Sequence, residues 1–165
     1  MLKSFFALNL KFKYVKLFNM IVDLLNEQIL KCLQENARQS NAEIGRQVGI
    51  SSPAVSERIK KMEDLGVITG FTTMVSSYKM GYQLKAIITL RAFMGKLKPF
   101  LTKVTVMDEV VNCYRITGNA NIVMEVVLRN QKHLEEFIDQ IISYGESKTQ
   151  IVLSQVVENN PIKKG

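Results

Sequence analysis

Small hydroxyls and bases crowd one stretch of this 165-residue chain: Ser51, Ser52, Pro53, Ser56, Glu57, Arg58, Lys60 and Lys61. On a helix, positions 52, 56 and 60 recur every four residues and share a face. Small polar side chains at a helix start allow close approach to a hydrogen-bonding surface. Bases further along meet anions. That combination suits the major groove of double-stranded DNA, where base edges specify and phosphates position. Ser40 and Arg46, just upstream, complete the candidate contact set.

Other chemistry is poorly supplied. Cys32 and Cys113 lie far apart in apolar surroundings, so they read as packed thiols of a reduced, cytoplasmic protein and not as metal ligands. The single histidine, His133, has no triad around it and is expected on a solvated helix face. There is no Gly-rich phosphate loop and no nucleophile–base pairing, so no enzyme, cofactor or metal is expected.

The elements that carry the contact set follow from caps and periodicity. Asp23 can cap a helix with Leu25, Ile29, Leu30 and Leu33 inward, fading near Asn36. Ser40-Asn41-Ala42-Glu43 is a capping box, opening a helix with Ile44 and Val48 inward. Gly49 ends it, since a left-handed terminus costs least as glycine. Gly45 lets this helix approach the next one closely. Ser52 is expected to cap a third helix with Pro53 in its first position, Val55, Ile59 and Met62 inward, and Gly66 as its stop. Two short helices about a glycine turn form a helix-turn-helix, whose second helix enters the major groove. Acids fall mostly elsewhere, at Asp23, Glu27, Glu35 and Glu43. A plain three-helix bundle is the competing reading, disfavoured because the capping box, turn glycine and basic third helix coincide.

Net charge is +7, but its distribution matters more. Residues 1–20 carry +4, residues 21–75 carry −1, and residues 76–165 carry +4. Overall basicity therefore assigns nucleic acid to no one domain. Residues 1–20 are apolar, aromatic and basic without a helix cap. They lack a cleavable signal and are too short and charged to span a bilayer. A disordered extension, or an upstream start before Met20, is favoured over a membrane-surface segment. No membrane partner is expected.

Beyond Gly66 the pattern becomes β-branched. Residues 67–74 read as strand and linker, and residues 76–81 as a joint. Strands are expected at 84–93, 110–117, 122–128 and 149–157, with helices at 98–107 and from an Asn130 cap to a closing Gly145. The order βαββαβ is a ferredoxin-like split unit. Its second sheet face reads as apolar and should be covered by another subunit. The fold class is therefore α+β: a winged-helix-like helix-turn-helix domain at 21–70, a linker at 71–83, a ferredoxin-like domain at 84–158 and a tail at 159–165.

This organisation resembles the Lrp/AsnC family of bacterial and archaeal transcription regulators. The resemblance spans residues 21–159. It rests on Gly49-Ile50-Ser51, Glu57-Arg58-Ile59, Met62-Glu63 and Leu65-Gly66-Val67-Ile68-Thr69-Gly70-Phe71. Further along, Cys113-Tyr114-Arg115-Ile116-Thr117-Gly118 and Thr149-Gln150-Ile151-Val152-Leu153-Ser154 carry it. It implies homodimers through the C-terminal sheet, assembled into tetramers or octamers. A two-fold dimer built on the apolar sheet face is expected to set its recognition helices about one DNA turn apart, roughly 34 Å. The resemblance also implies an amino-acid effector at the loop Gly118-Asn119-Ala120-Asn121, and no catalysis.

Two departures stand out. Asn26 replaces the family's usual aspartate, which asparagine's own helix-start hydrogen bonding tolerates. The family's acidic G-D-x-D loop reads Gly118-Asn119-Ala120-Asn121 here. A neutral carbonyl holds an α-ammonium about half as well as a carboxylate. Weak or absent amino-acid binding, or a ligand lacking an ammonium, is one expectation. The other is that the loop is simply a turn held by local asparagine hydrogen bonds. Two further functional readings stay open. One is a DNA-wrapping architectural protein, and the other is an amino-acid-binding regulatory subunit of an enzyme, which the helix-turn-helix disfavours.

Overall fold

The computed structural model describes residues 23–163. The expectations for residues 1–20 lie outside them. Helix α1 (Leu24–Glu35) begins at Asp23, whose Oδ1 accepts the Asn26 N–H at 2.8 Å, and ends at Asn36. Helix α2 (Asn41–Val48) carries the capping box: Ser40 Oγ accepts the Glu43 N–H at 3.2 Å, and the Glu43 carboxylate accepts the Ser40 N–H at 2.7 Å. Gly49 adopts φ +77°, and its N–H and that of Ile50 both donate to the Gly45 carbonyl.

Helix α3 (Ser52–Asp64) starts one residue earlier than expected. Ser51 is its cap and Pro53 its second residue. The shift is harmless, because no N–H in a first turn has an intrahelical acceptor for proline to remove. Ile29, Cys32, Ile44, Val55 and Met62 are buried where the three helices meet, with Val48, Ile59, Val67 and Ile68 half-buried around them.

Residues 67–74 form no strand, contrary to the sequence reading. The Val67 and Ile68 N–H groups instead donate to the Met62 carbonyl, folding the chain back over the end of α3. A β-branched run without a neighbouring ladder has nowhere to place its alternate N–H and C=O groups.

The following elements are β1 (Leu84–Ala92), α4 (Leu97–Val104), β2 (Val110–Arg115), β3 (Ile122–Leu128), α5 (Gln131–Ile141) and β4 (Gly145–Ile151). The sheet order is β2-β3-β1-β4, every pairing antiparallel, as a split βαββαβ unit requires. Ala86, Ile88, Leu90, Ile122, Met124, Val126 and Leu128 are buried against Phe100, Val104, Phe137 and Ile141 of the helices.

The opposite sheet face is less apolar than expected. Register places Ile87 beside Glu125 and Thr89 beside Val123. Lys85 and Glu125 form an ion pair there, and Asn112 donates to Glu125 at 3.0 Å. Lys85 first, then Asn112, hold the Glu125 carboxyl below its ordinary range.

Two more expectations are corrected. Gly145 does not close α5; Ile142 follows the helix and Gly145 opens β4. A Cβ at Gly145 would collide with the Arg91 carbonyl, so glycine serves close strand approach here. His133 is buried, not solvated: its Nδ1 accepts the Arg129 N–H at 3.2 Å and its Nε2–H donates to Glu109 at 3.0 Å.

The chain divides into two compact units. Among the described residues, 23–73 group with 159–163, and Met74–Glu158 form the second. The tail joins the helical unit through Gln34, whose carboxamide pairs both ways with the Ile162 backbone, at 2.7 and 3.2 Å.

Candidate nucleic-acid interface

The α2–α3 corner is built by close backbone approach. A Cβ on Gly45 would stand 2.5 Å from the Ile50 carbonyl oxygen, so only glycine lets α2 sit this near the start of α3. Val55 and Met62, fully buried, fix the inner face of α3. The outer face follows by helical geometry: Pro53, Ser56, Glu57, Lys60 and Lys61 are all exposed. The side chains of Ser56, Lys60 and Lys61 make no hydrogen bond or ion pair among the described residues and stand open to a partner.

The rest of the candidate set is deployed differently. Ser51 is exposed, but its hydroxyl caps α3 by accepting the Ala54 N–H at 3.4 Å. Ser52 is half-buried in the first turn. Ser40 serves the capping box, its hydroxyl donating to Glu43 at 2.7 Å. Arg46 is exposed on α2. The Glu43 carboxyl is held below its usual range by the Ser40 N–H and hydroxyl, with Arg46 adding to the effect.

Arg58 turns inward. One guanidinium nitrogen lies 2.8 Å from Asp23 Oδ2 and 2.8 Å from Asn26 Oδ1. Burial raises the Asp23 carboxyl, but the Arg58 hydrogen bond and the Asn26 N–H outweigh it and hold the group below its ordinary range. Asp23 thus caps α1 and anchors α3 with its two oxygens. Asp23 and Asn26 were legible in the sequence only as helix-start residues. Their shared partner lies 35 and 32 positions away, and no local signal announces it.

In the second unit, the loop Gly118–Asn121 is held by its last residue. Asn121 Oδ1 accepts the Ala92 N–H at 2.9 Å, its N–H donates to Leu90, and its carbonyl accepts from Ile116. Gly118 takes φ +111°, and Gly118 and Asn119 are exposed. Among the described residues no three His, Cys, Asp or Glu side chains are placed to hold a metal, and no helix is long and apolar enough to cross a membrane.

A capped, glycine-hinged helix pair presenting polar and basic side chains, followed by a ferredoxin-like unit, defines a helix-turn-helix regulator with a separate α+β domain. The comparisons with known proteins agree. A family model described as winged helix-turn-helix DNA-binding matches residues 23–69, and one described as the Lrp/AsnC ligand binding domain matches residues 85–162. The chain belongs to the Lrp/AsnC family of helix-turn-helix transcriptional regulators.

A Bacillus subtilis relative, the uncharacterized regulator YezC, is 37% identical over 127 residues, covering 77% of this chain and 90% of its own. The Methanocaldococcus jannaschii regulator Ptr1 is 34% identical, covering 74% and 82%. Among solved structures, Escherichia coli AsnC superposes with a TM-score of 0.75 at 31% identity, covering 83% of this chain and 95% of its own. A Neisseria meningitidis regulator, solved as a complex with L-Met, shares the fold with a TM-score of 0.81 at 22% identity, covering 86% and 96%.

Proposed function

We propose that this protein is a sequence-specific, homo-oligomeric DNA-binding regulator that reads the major groove with the N-terminal half of α3. The observation that carries this reading is the exposed face of Pro53, Ser56, Glu57, Lys60 and Lys61 on a helix whose other face is locked in the core. Ser52, Pro53, Ser56 and Glu57 lie against base edges, with Ser51 at the helix start. Lys60, Lys61 and Arg46 meet phosphates, and Ser40 presents the start of α2 to the backbone. Arg58 acts through the α1–α3 clip.

Fluorescence anisotropy on an operator, repeated across salt concentrations, tests this. Each lysine that contacts a phosphate contributes about 0.9 to the slope of log affinity against log salt. Lys60→Ala and Lys61→Ala are expected to weaken specific and non-specific binding alike and lower that slope by about one each. Ser56→Ala is expected to change sequence preference and leave the slope alone. Unchanged affinity in the double lysine variant overturns the assignment of α3.

The second unit is the ligand-binding domain of the family. With Asn121 Oδ1 already accepting from Ala92, the Gly118–Asn121 loop offers the exposed backbone of Gly118 and Asn119 to a carboxylate, with Ala120 between them and Asn121. It offers no side-chain anion to an ammonium. Weak amino-acid binding is therefore expected. Calorimetric titration with the twenty amino acids, starting from L-Met, checks it, and a micromolar response to any of them overturns the expectation.

A further inference from the structure

We infer that the turn between β1 and α4 of one copy docks on the outer face of α5 in a second copy, forming a contact separate from the open sheet face. The turn is Phe93-Met94-Gly95-Lys96. It is closed by the Lys96 N–H donating to the Phe93 carbonyl at 3.0 Å, with Gly95 at φ +76° in the position where a type II turn needs a left-handed residue. The Phe93 N–H donates to the Tyr144 carbonyl, so the turn is also tied to the connection between α5 and β4. At its tip Met94 is fully exposed and Phe93 is 48% exposed. Residues 93–107 hold three lysines, Lys96, Lys98 and Lys103, and no acid. A rigid turn thus lifts an apolar knob with a basic collar into solvent. Held apolar groups of this kind lose little conformational freedom on docking.

The complement lies on α5. Gln131, Leu134, Glu135, Ile138 and Asp139 follow helical spacing and line a shallow groove of about 400 Å³. Its floor is Leu134 and Ile138, and its rim is Glu135 and Asp139. Neither rim acid has an ion-pair partner among the described residues, whereas Glu136 on the next face lies 4.0 Å from Lys132. Lys96 and Lys98 are likewise without an ion-pair partner among the described residues. Met94 fits the apolar floor, and Lys96 and Lys98 fit the acidic rim.

The contact closes by symmetry. Register places the end of β1 beside the start of β3, so α5 begins at the end of the sheet away from the turn and runs back towards it, with the groove along its length. A two-fold axis that sets two such units side by side and antiparallel brings each turn to the other's groove. One operation then forms both contacts and leaves neither patch open, which an isologous dimer requires.

Sedimentation velocity across micromolar concentrations tests the inference. Glu135→Lys with Asp139→Lys is expected to reduce the mass of the largest species at least twofold. Lys96→Glu with Lys98→Glu should do the same. Combining all four substitutions should restore it, because the charges are exchanged and not removed. Met94→Glu should act like either reversal. Far-ultraviolet circular dichroism of each variant, matching the parent, shows that the fold is kept. The readout is independent of the sheet-face dimer: a tetramer falls to a dimer if that dimer exists, and a dimer to a monomer if it does not. Unchanged mass in both reversals, or reversals whose combination fails to restore it, overturns the contact. A parent protein that is monomeric throughout overturns it as well.

Discussion

Arg58, in the middle of α3, holds the start of α1 with one nitrogen. Its pairing with Asp23 is part-exposed, and such ion pairs contribute roughly 0–1 kcal/mol. Asn26 adds more, because its side chain is buried and would lose a charged donor if Arg58 were truncated. Arg58→Ala is expected to cost about 1–2 kcal/mol in urea unfolding. It should also weaken DNA binding without lowering the salt slope, since the guanidinium orients α3 and meets no phosphate. A slope reduced by about one in anisotropy would place Arg58 on the DNA instead. His133 and Glu109 pose the corresponding question in the other unit. Burial raises the Glu109 carboxyl, but its own backbone amide, the His133 hydrogen bond and charge, and Arg129 together bring it below its ordinary value of 4.5. A carboxyl depressed on folding contributes stability that is complete above its unfolded value and is lost as pH falls through the folded one. Glu109→Gln is therefore expected to flatten the loss of stability below pH 4.5, read as urea midpoints across the acid range. A variant whose midpoints fall as steeply as the parent's would show that this pair contributes nothing to acid sensitivity.

At the scale of elements, the helical unit was nearly all legible because its signals are local. Capping boxes, first-turn prolines and left-handed glycines act within four residues, and three of the four helix ends about the turn fall where those residues put them. The fourth slips by one because Ser51 and Ser52 are equivalent caps side by side, and local chemistry does not choose between them. The other misreadings turn on a partner distant in sequence, either present or missing. Gly145 carries the same signal as a helix stop, but its role is set by Arg91 on the neighbouring strand. Residues 67–74 have strand composition and no strand to pair with. His133 is claimed by Glu109, and the Asn121 side-chain oxygen by the Ala92 N–H. The exposed face of α3 was legible because it is what remains after Val55 and Met62 turn inward. Which of its bases face outward was not, because Arg58 is directed by α1. Gly45 and Gly49 separate two kinds of glycine requirement. Gly45 needs space, and Gly49 needs its positive φ in a place where a Cβ would meet nothing. Gly45→Ala is expected to cost about 1–3 kcal/mol by overpacking against the Ile50 carbonyl. It should also reduce DNA affinity by moving α3 relative to α2. Gly49→Ala is expected to cost about 1–2 kcal/mol through backbone strain, and at a matched stability loss to bind DNA better than Gly45→Ala. Equal DNA affinities for the two variants would remove the case for Gly45 as the spacer of the interface.

For the molecule as a whole, the proposed homo-oligomer is expected to form first through the open sheet face. Helices cover one face only, and the other carries Ile87, Val123 and Tyr114 around the Lys85–Glu125 pair, with Tyr114 59% exposed. A wholly apolar face would drive non-specific association. A face with a fixed charge pair among apolar neighbours favours a partner that can satisfy the same pair, and an identical copy related by a two-fold axis does so. Lys85 is also steadied by Gln155 at 3.1 Å, beyond the end of β4, so its ammonium is positioned before any partner arrives. Two consequences separate this from simple apolar covering. Ile87→Lys sets a third charge beside Glu125 at the centre of the face. It is expected to dissociate the sheet-face dimer while leaving the helix-covered core, and hence the thermal melt of the separated unit, close to the parent's. Glu125→Gln keeps the shape and the Asn112 contact but strands Lys85 without its carboxylate, and is expected to weaken the dimer severalfold through the unpaired ammonium. Multi-angle light scattering at micromolar concentrations measures both. A parent chain that stays monomeric there, or an Ile87→Lys variant of unchanged mass, places the dimer elsewhere.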